Sequence, residues 1–210
     1  PGSNTFNGPV TCIASGGSLN SVILRNTALT PGILTLPTIL ANLNLHYTNS
    51  DVILPGVTVD STLQIITGYA ITQAPSTTLV VSGPATLSAS TGITLDNADN
   101  DFHSMMLTCP NTVAIRDING VIIGASDVSA ITVEAGGNIT QSGILTCSGN
   151  AMFTVTGLNA DIEMGTYANA FSNPVTFIIP DTGDHSISLH NTTICTTVNL
   201  PAEQMFCLTI

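Results

Sequence analysis

The chain has 210 residues, with thirteen carboxylates against two arginines, Arg25 and Arg116, no lysine, and a formal net charge of −11. Phosphate backbones are held by clustered Lys and Arg and acidic surfaces are repelled by anionic lipid, so nucleic acid is excluded as a partner. Membrane insertion is not expected either, because no run reaches the ~18 apolar residues of a spanning helix. Charged residues make up 7% and aromatics 4%, yet the hydrophobic share is 43%, carried by Ile, Leu, Val and Ala, which separates the chain from disordered polar tracts and suits a narrow core between sheets.

In chain order, Pro1-Gly2-Ser3 reads as a cloning scar, and a fragment of a longer chain is expected to follow from residue 4 as a single domain over 4–210. Thr5-Phe6-Asn7-Gly8-Pro9-Val10-Thr11 opens it and resembles Ala170-Phe171-Ser172-Asn173-Pro174-Val175-Thr176 far downstream. Gly56–Gln73 lies without gaps over Gly124–Gln141, with Gly68 matching Gly136 and Ile71-Thr72-Gln73 matching Ile139-Thr140-Gln141. Leu79–Gly83 then matches Leu145–Gly149, and Asp101-Phe102 matches Ala170-Phe171. Between Phe102 and Gly143 the pattern is clearest, with Met105–Leu107, Val113–Ile115, Val121–Ile123 and Ile131–Val133 as short β-branched runs punctuated by Asn, Asp, Pro and Gly. A last strand-like run, Phe206–Ile210, has no polar cap and invites end-to-end self-association.

A train of short strands with self-similarity at a long period predicts a solenoid. The interval from Phe6 to Phe102 is longer than that from Phe102 to Phe171, and the excess fits one added turn, expected within Leu29–Leu54. A turn of about 23 residues accounts for both spacings, and roughly nine turns would stack into a rod on the order of 40 Å long. The expected fold is therefore all-β, a parallel β-helix (β-solenoid), in which no turn buries its own apolar face and each is stabilised by its neighbours. Phe6, Phe102 and Phe171 are expected in the core, and Gly68 and Gly136 at turns. Asn and Asp are expected at corners, where local hydrogen bonds and left-handed backbone are needed.

The five cysteines, Cys12, Cys109, Cys147, Cys195 and Cys207, fit no zinc or redox spacing and read as small buried hydrophobes, with pairing between stacked coils left open.

The order Asn100-Asp101-Phe102, then Asp117–Gly124, then Ile131–Gly143 resembles the repeats of filamentous-haemagglutinin-like and autotransporter-type bacterial exoproteins, best over residues 85–157. The resemblance implies a right-handed parallel β-helix, exported to the extracellular space or bacterial cell surface, acting as the stalk or adhesive shaft of a longer chain. Host-surface or matrix glycans and proteins, or neighbouring domains of the same exoprotein, would be its partners. The chain departs from such exoproteins in its five cysteines and its lack of lysine.

Candidate sites are few. Asp96-Asn97-Ala98-Asp99-Asn100-Asp101 gathers oxygen ligands of the kind calcium takes, but without the glycine and terminal glutamate of an EF-hand loop it reads as a solvated turn. Asp181-Thr182-Gly183-Asp184-His185 with His190 reads likewise as a turn, and its single Asp-Thr-Gly is too little for an aspartic-protease site. Glycosidase carboxylates must sit about 5–9.5 Å apart, which makes Asp161 and Glu163 the pair to inspect. With two distant arginines and no loop insertion to wall a cleft, no enzyme is expected, and no catalytic, cofactor or metal residues are assigned. The alternative to a structural or adhesive segment is a carbohydrate- or ice-binding solenoid, which needs outward threonines in register; Thr35, Thr132 and Thr140 are scattered examples. A phage tail-spike segment, recognisable as a trimer, is a further alternative.

Overall fold

In parallel stacks the inward positions of every strand must be apolar, because each strand is covered on both edges by its neighbours and on one face by the core. Ser126–Ala135 shows how the sequence meets this: Val128, Ile131, Val133 and Ala135 point inward and are buried, while Asp127, Thr132 and Glu134 alternate outward. The computed structural model describes residues 4–15, 19–179, 183–201 and 208–209. Within them all regular elements are strands, and every strand pairing is parallel. The chain is a β-solenoid of about nine turns.

Three stacks run along it. One carries Leu40, Val59, Val81 and Phe102, then Val121, Ile139, Ile162 and Ile187. A second carries Leu24, Leu45, Ile65, Leu87 and Leu107, and beside them Cys109, Val128, Cys147 and Phe171. The third carries Val52, Ile71, Ile93, Val113, Ile131, Ala151, Val175 and Val198. The long strands Val57–Thr67 and Leu79–Ala89 bend round a corner and serve two stacks, and Asp101–Asp117 rounds two corners and serves all three. The turns are not of the uniform length expected: Met105 meets Ile123 one turn on, whereas the turn that brings Ile162 to Ile187 is markedly longer. Only the strand segments are fixed by pairing, so the corners absorb the variation.

The Phe landmarks are equivalent, for a reason visible only in the backbone. Asn4-Thr5-Phe6, Asn100-Asp101-Phe102 and Asn169-Ala170-Phe171 each offer the Asn carbonyl to an amide of the next turn, Thr27, Ile118 and Thr192. Following the stacked pairs, the climb from Asn26 to Asp117 contains one turn more than that from Asp117 to Asn191, as the spacing predicted. Each repeat ends roughly a third of a turn further round the solenoid than the last. Phe102 and Phe171 are fully buried, but Phe6 is 40% exposed and is not a core residue; among the described residues no turn lies beneath it.

Gly68 and Gly136 are where close packing, not backbone handedness, demands glycine. Neither lies in the left-handed region; a Cβ on Gly68 would overlap the carbonyl oxygen of Thr48, and one on Gly136 that of Ile118, in the turn below. Left-handed backbone at non-glycine residues is confined to Ser76 and Asn159 among the described residues, so the corner asparagines work chiefly through hydrogen bonds.

Cys109 and Cys147 are buried in the second stack with Val128 between them, two turns and so about 9.6 Å apart. That exceeds disulfide reach, and they pack as small hydrophobes; Cys12 and Cys195 are free and partly buried. Pro1–Ser3, Asp181, Thr182, Phe206 and Cys207 lie outside the described residues.

Candidate functional site

The polar chemistry of the molecule is concentrated where the chain rounds a corner, because a corner frees backbone groups that the ladder would otherwise satisfy. Asn100 is fully buried there. Its amide forms a reciprocal pair with Gln73, donating from Nδ2 to Oε1 at 2.9 Å and accepting from Nε2 at 2.8 Å, while its oxygen also accepts the Leu79 N–H and its nitrogen also donates to the Leu95 carbonyl. Asn169 repeats every contact with Gln141, Leu145 and Met164. The Ile-Thr-Gln match between the two segments is thus the signature of a buried amide pair holding adjacent turns in register.

A second corner motif accompanies each Phe. The Phe6 N–H donates to Oδ1 of Asn26, the Phe171 N–H to Oδ1 of Asn191, and the Phe102 N–H to Oδ2 of Asp117 at 2.6 Å. Only the middle copy uses an acid. Burial pushes the Asp117 carboxyl up to about 6, opposed by the N–H donors of Phe102 and Asn119, with nearby Asp101 adding a smaller upward push. A folded-state pKa above the unfolded value means that ionisation opposes folding. The contribution from this group is fully present below about pH 4 and is lost as pH rises through about 6. Asp117→Asn, which copies Asn26 and Asn191, is expected to raise stability at pH 7.5 by on the order of 2 kcal/mol and to be neutral near pH 4. Denaturant titrations at the two pH values check this, and an equal effect at both would refute the assignment.

The Asp96–Asp101 loop is consumed by the fold. Asn100 turns inward, Asn97 donates to the Thr77 carbonyl and accepts from the Asp99 N–H, and Asp101 accepts from Asn119. Asp96 and Asp99 remain exposed. Asp99→Ala is accordingly expected to stay within about 0.5 kcal/mol by thermal unfolding, with or without calcium. Among the described residues no group of three or more His, Cys, Asp or Glu is placed to hold a metal.

Asp161 accepts the Ser186 N–H at 2.6 Å, while Glu163, two residues on, faces outward and pairs in register with Ser188. They are not gathered as an opposed acid pair. His185 bonds the Ala160 carbonyl through Nδ1, Asp184 rests its N–H on Asn159, and His190 is exposed. Arg116 reaches Glu134 on the next turn at 2.7 Å, an exposed ion pair of small energetic value.

Sequence reading missed one outward array. Ile53, Thr72, Thr94, Ala114, Thr132, Met152 and Thr176 stack in register on the outside of the third sheet. Thr35 stands outside this column, and Thr140 lies on the first stack.

An all-parallel sheet wound continuously, with buried amide pairs recurring at its corners, defines the chain as a repeat protein of the β-solenoid class. It belongs to the family of repeats of unknown function DUF5649, whose model matches residues 41–108 and 110–178. The starts of the two matched units are offset by the same interval that separates Phe102 from Phe171. No curated protein and no solved structure matches the chain.

Proposed function

We propose that the chain is a non-catalytic structural and adhesive segment of a large bacterial surface or secreted β-helical exoprotein of the filamentous-haemagglutinin-like kind. The observation that carries this reading is the division of labour among polar residues. Buried Asn and Asp side chains are spent on turn-to-turn hydrogen bonds, which leaves outer faces rich in hydroxyl and amide groups along an extended stack. Such a surface offers many weak, repeated contacts to a glycan or a protein matrix, and its usefulness grows with length through multivalency. Partners on a host surface or matrix, neighbouring domains, and extracellular exposure follow from the same reading, with no cofactor required. The test is adhesion of particles coated with the chain to immobilised matrix glycoproteins and glycan arrays. Retention above that of particles coated with an unrelated protein of equal charge supports the reading, and equal retention overturns it.

The outward column Thr72, Thr94, Thr132 and Thr176 favours a second reading, a flat carbohydrate- or ice-binding face. Ala114 and Met152 interrupt the hydroxyl array. A gap between melting and freezing temperatures in a solution of the chain would support ice binding, and retention on crystalline polysaccharide would support the carbohydrate variant. If both are absent, this second reading fails.

A further inference from the structure

The outward positions of the second stack are also in register, and over its first four turns they form two neighbouring columns. One runs Ile23, Asn44, Gln64 and Thr86; the other, two residues further along each strand, runs Arg25, His46, Ile66 and Ser88. Asn42 and Thr62, stacked on each other, stand two residues before Asn44 and Gln64. The chain has thirteen carboxylates, yet Ser21–Asn26 and residues 41–47, 61–67 and 84–89 carry none. Asp60 lies just before Ser61, at the end of this face away from Arg25. A strongly acidic molecule therefore keeps one patch of its surface clear of acids.

A groove of about 470 Å³ runs over the patch, and its lining includes Ile23, Asn42, Asn44, Thr62, Gln64 and Thr86. The polar side chains are only partly spent on one another. Thr62 Oγ1 donates to Asn42 Oδ1 at 2.6 Å, and Asn44 Nδ2 donates to Gln64 Oε1. That leaves Asn42 Nδ2 and Gln64 Nε2 as donors, Asn44 Oδ1 as an acceptor and the Thr86 hydroxyl as either, none with a protein partner among the described residues. Successive turns set these groups ~4.8 Å apart, a distance that hydroxyls of one sugar ring span. Ile23, 70% exposed, supplies an apolar edge for the C–H face of such a ring.

Arg25 sets the charge of the occupant. It is one of two arginines, and the other, Arg116, is paired with Glu134. Arg25 is exposed, lies in register with partly buried His46 of the next turn, and has no carboxylate partner among the described residues. It stands about 6.6 Å along the strand from Ile23, roughly the width of a sugar ring. A planar guanidinium grips a carboxylate through two parallel hydrogen bonds. A polysulfated chain needs several cations and meets a net charge of −11, which leaves a ligand with one anionic group. We propose that the outer face of the second stack over its first four turns is a binding site for a saccharide bearing a single carboxylate, with Arg25 on the carboxylate and Asn42, Asn44 and Gln64 on the hydroxyls. This site rests on the adhesive reading and deepens it, giving it a ligand class and a place.

The test titrates the full 210-residue chain with sialyllactose and with its neutral methyl ester, following binding by ligand-observed NMR. Saturable one-to-one binding is expected, with the acid held about tenfold more tightly than the ester, the ratio of one charge-assisted hydrogen bond. Arg25→Gln should bring the acid down to the affinity of the ester without changing thermal unfolding, because the side chain is exposed. Asn44→Ala with Gln64→Ala should weaken acid and ester alike. Arg116→Gln, which removes the other arginine, should leave both affinities as they are. Absence of saturable binding, equal affinity for acid and ester in the unaltered chain, an acid preference that survives in Arg25→Gln, or tighter binding of a heavily sulfated oligosaccharide would each overturn the proposal. Coated particles whose adhesion neither sialyllactose nor Arg25→Gln reduces would overturn this site alone, whereas particles that do not adhere at all would sink the adhesive reading itself.

Discussion

Phe153→Ala is expected to cost about 3–5 kcal/mol and to lower the midpoint of thermal unfolding by roughly 10 °C for a chain of this size. Phe153 is fully buried and is packed edge-on against Phe171, with ring centroids 6.2 Å apart, and stacked on Phe177 at 5.9 Å. Phe177 is its partner in register on the next turn. Truncation removes the middle ring of the three. The void cannot close by collapse, because turns are held at the ~4.8 Å spacing of the backbone ladder. Aromatic contacts of this geometry add to the area lost. Denaturant unfolding checks the magnitude, and hydrogen exchange should show the loss concentrated in the turns around Ala151–Val155, since each turn leans on its neighbours. A loss below about 1 kcal/mol would mean that the core is far more pliable than its packing indicates.

Asn169→Leu is expected to be nearly as damaging, by more than about 3 kcal/mol, although it makes the site more apolar. Removing the amide orphans the Leu145 N–H, the Met164 carbonyl and Gln141 Oε1, while Gln141 Nε2 keeps the Gly143 carbonyl at 3.4 Å. Each buried orphan costs about 1–3 kcal/mol. Asn100→Leu should behave alike, because it repeats the network with Gln73, Leu79 and Leu95. Exchange of the Leu145 amide is the direct readout. An effect within about 0.5 kcal/mol for either variant, the value of an exposed turn, would show that the amide pairs do not hold the turns together.

The same stretch, Asp96–Asp101, illustrates how sequence reading can be right about a segment and blind to its key residue. That it forms a turn was legible from its Asn and Asp content. That Asn100 is buried while Asp99, one residue earlier, is exposed was not, because it depends on Gln73 arriving from the previous turn. Similarly, Phe102 and Phe171 were recognisable as core landmarks, whereas Phe6 carries the same Asn-x-Phe signature and is 40% exposed. Local sequence is identical in kind; the neighbours are not.

The Thr column was hidden for a related reason. Thr72, Thr94, Ala114, Thr132, Met152 and Thr176 follow one another at unequal intervals, closest between Ala114 and Thr132 and widest between Met152 and Thr176. No fixed period aligns them, and only strand pairing reveals that they share a face.

By itself the sequence determined the class of fold, the repeat that carries Phe102 onto Phe171 and the addition of one turn before Phe102, because β-branched runs, corner Asn and Gly, and alternation are local properties that every turn must satisfy. The tertiary structure alone decided which turns pair and which part. Pairing across one turn joins residues far apart in the chain, Met105 with Ile123 or Ile162 with Ile187, in a register set by the corners, and those carry little periodic signal. The opening between Leu34–Thr35 and Val52–Leu54 exists only because two turns fail to meet, and no single turn's sequence records that failure.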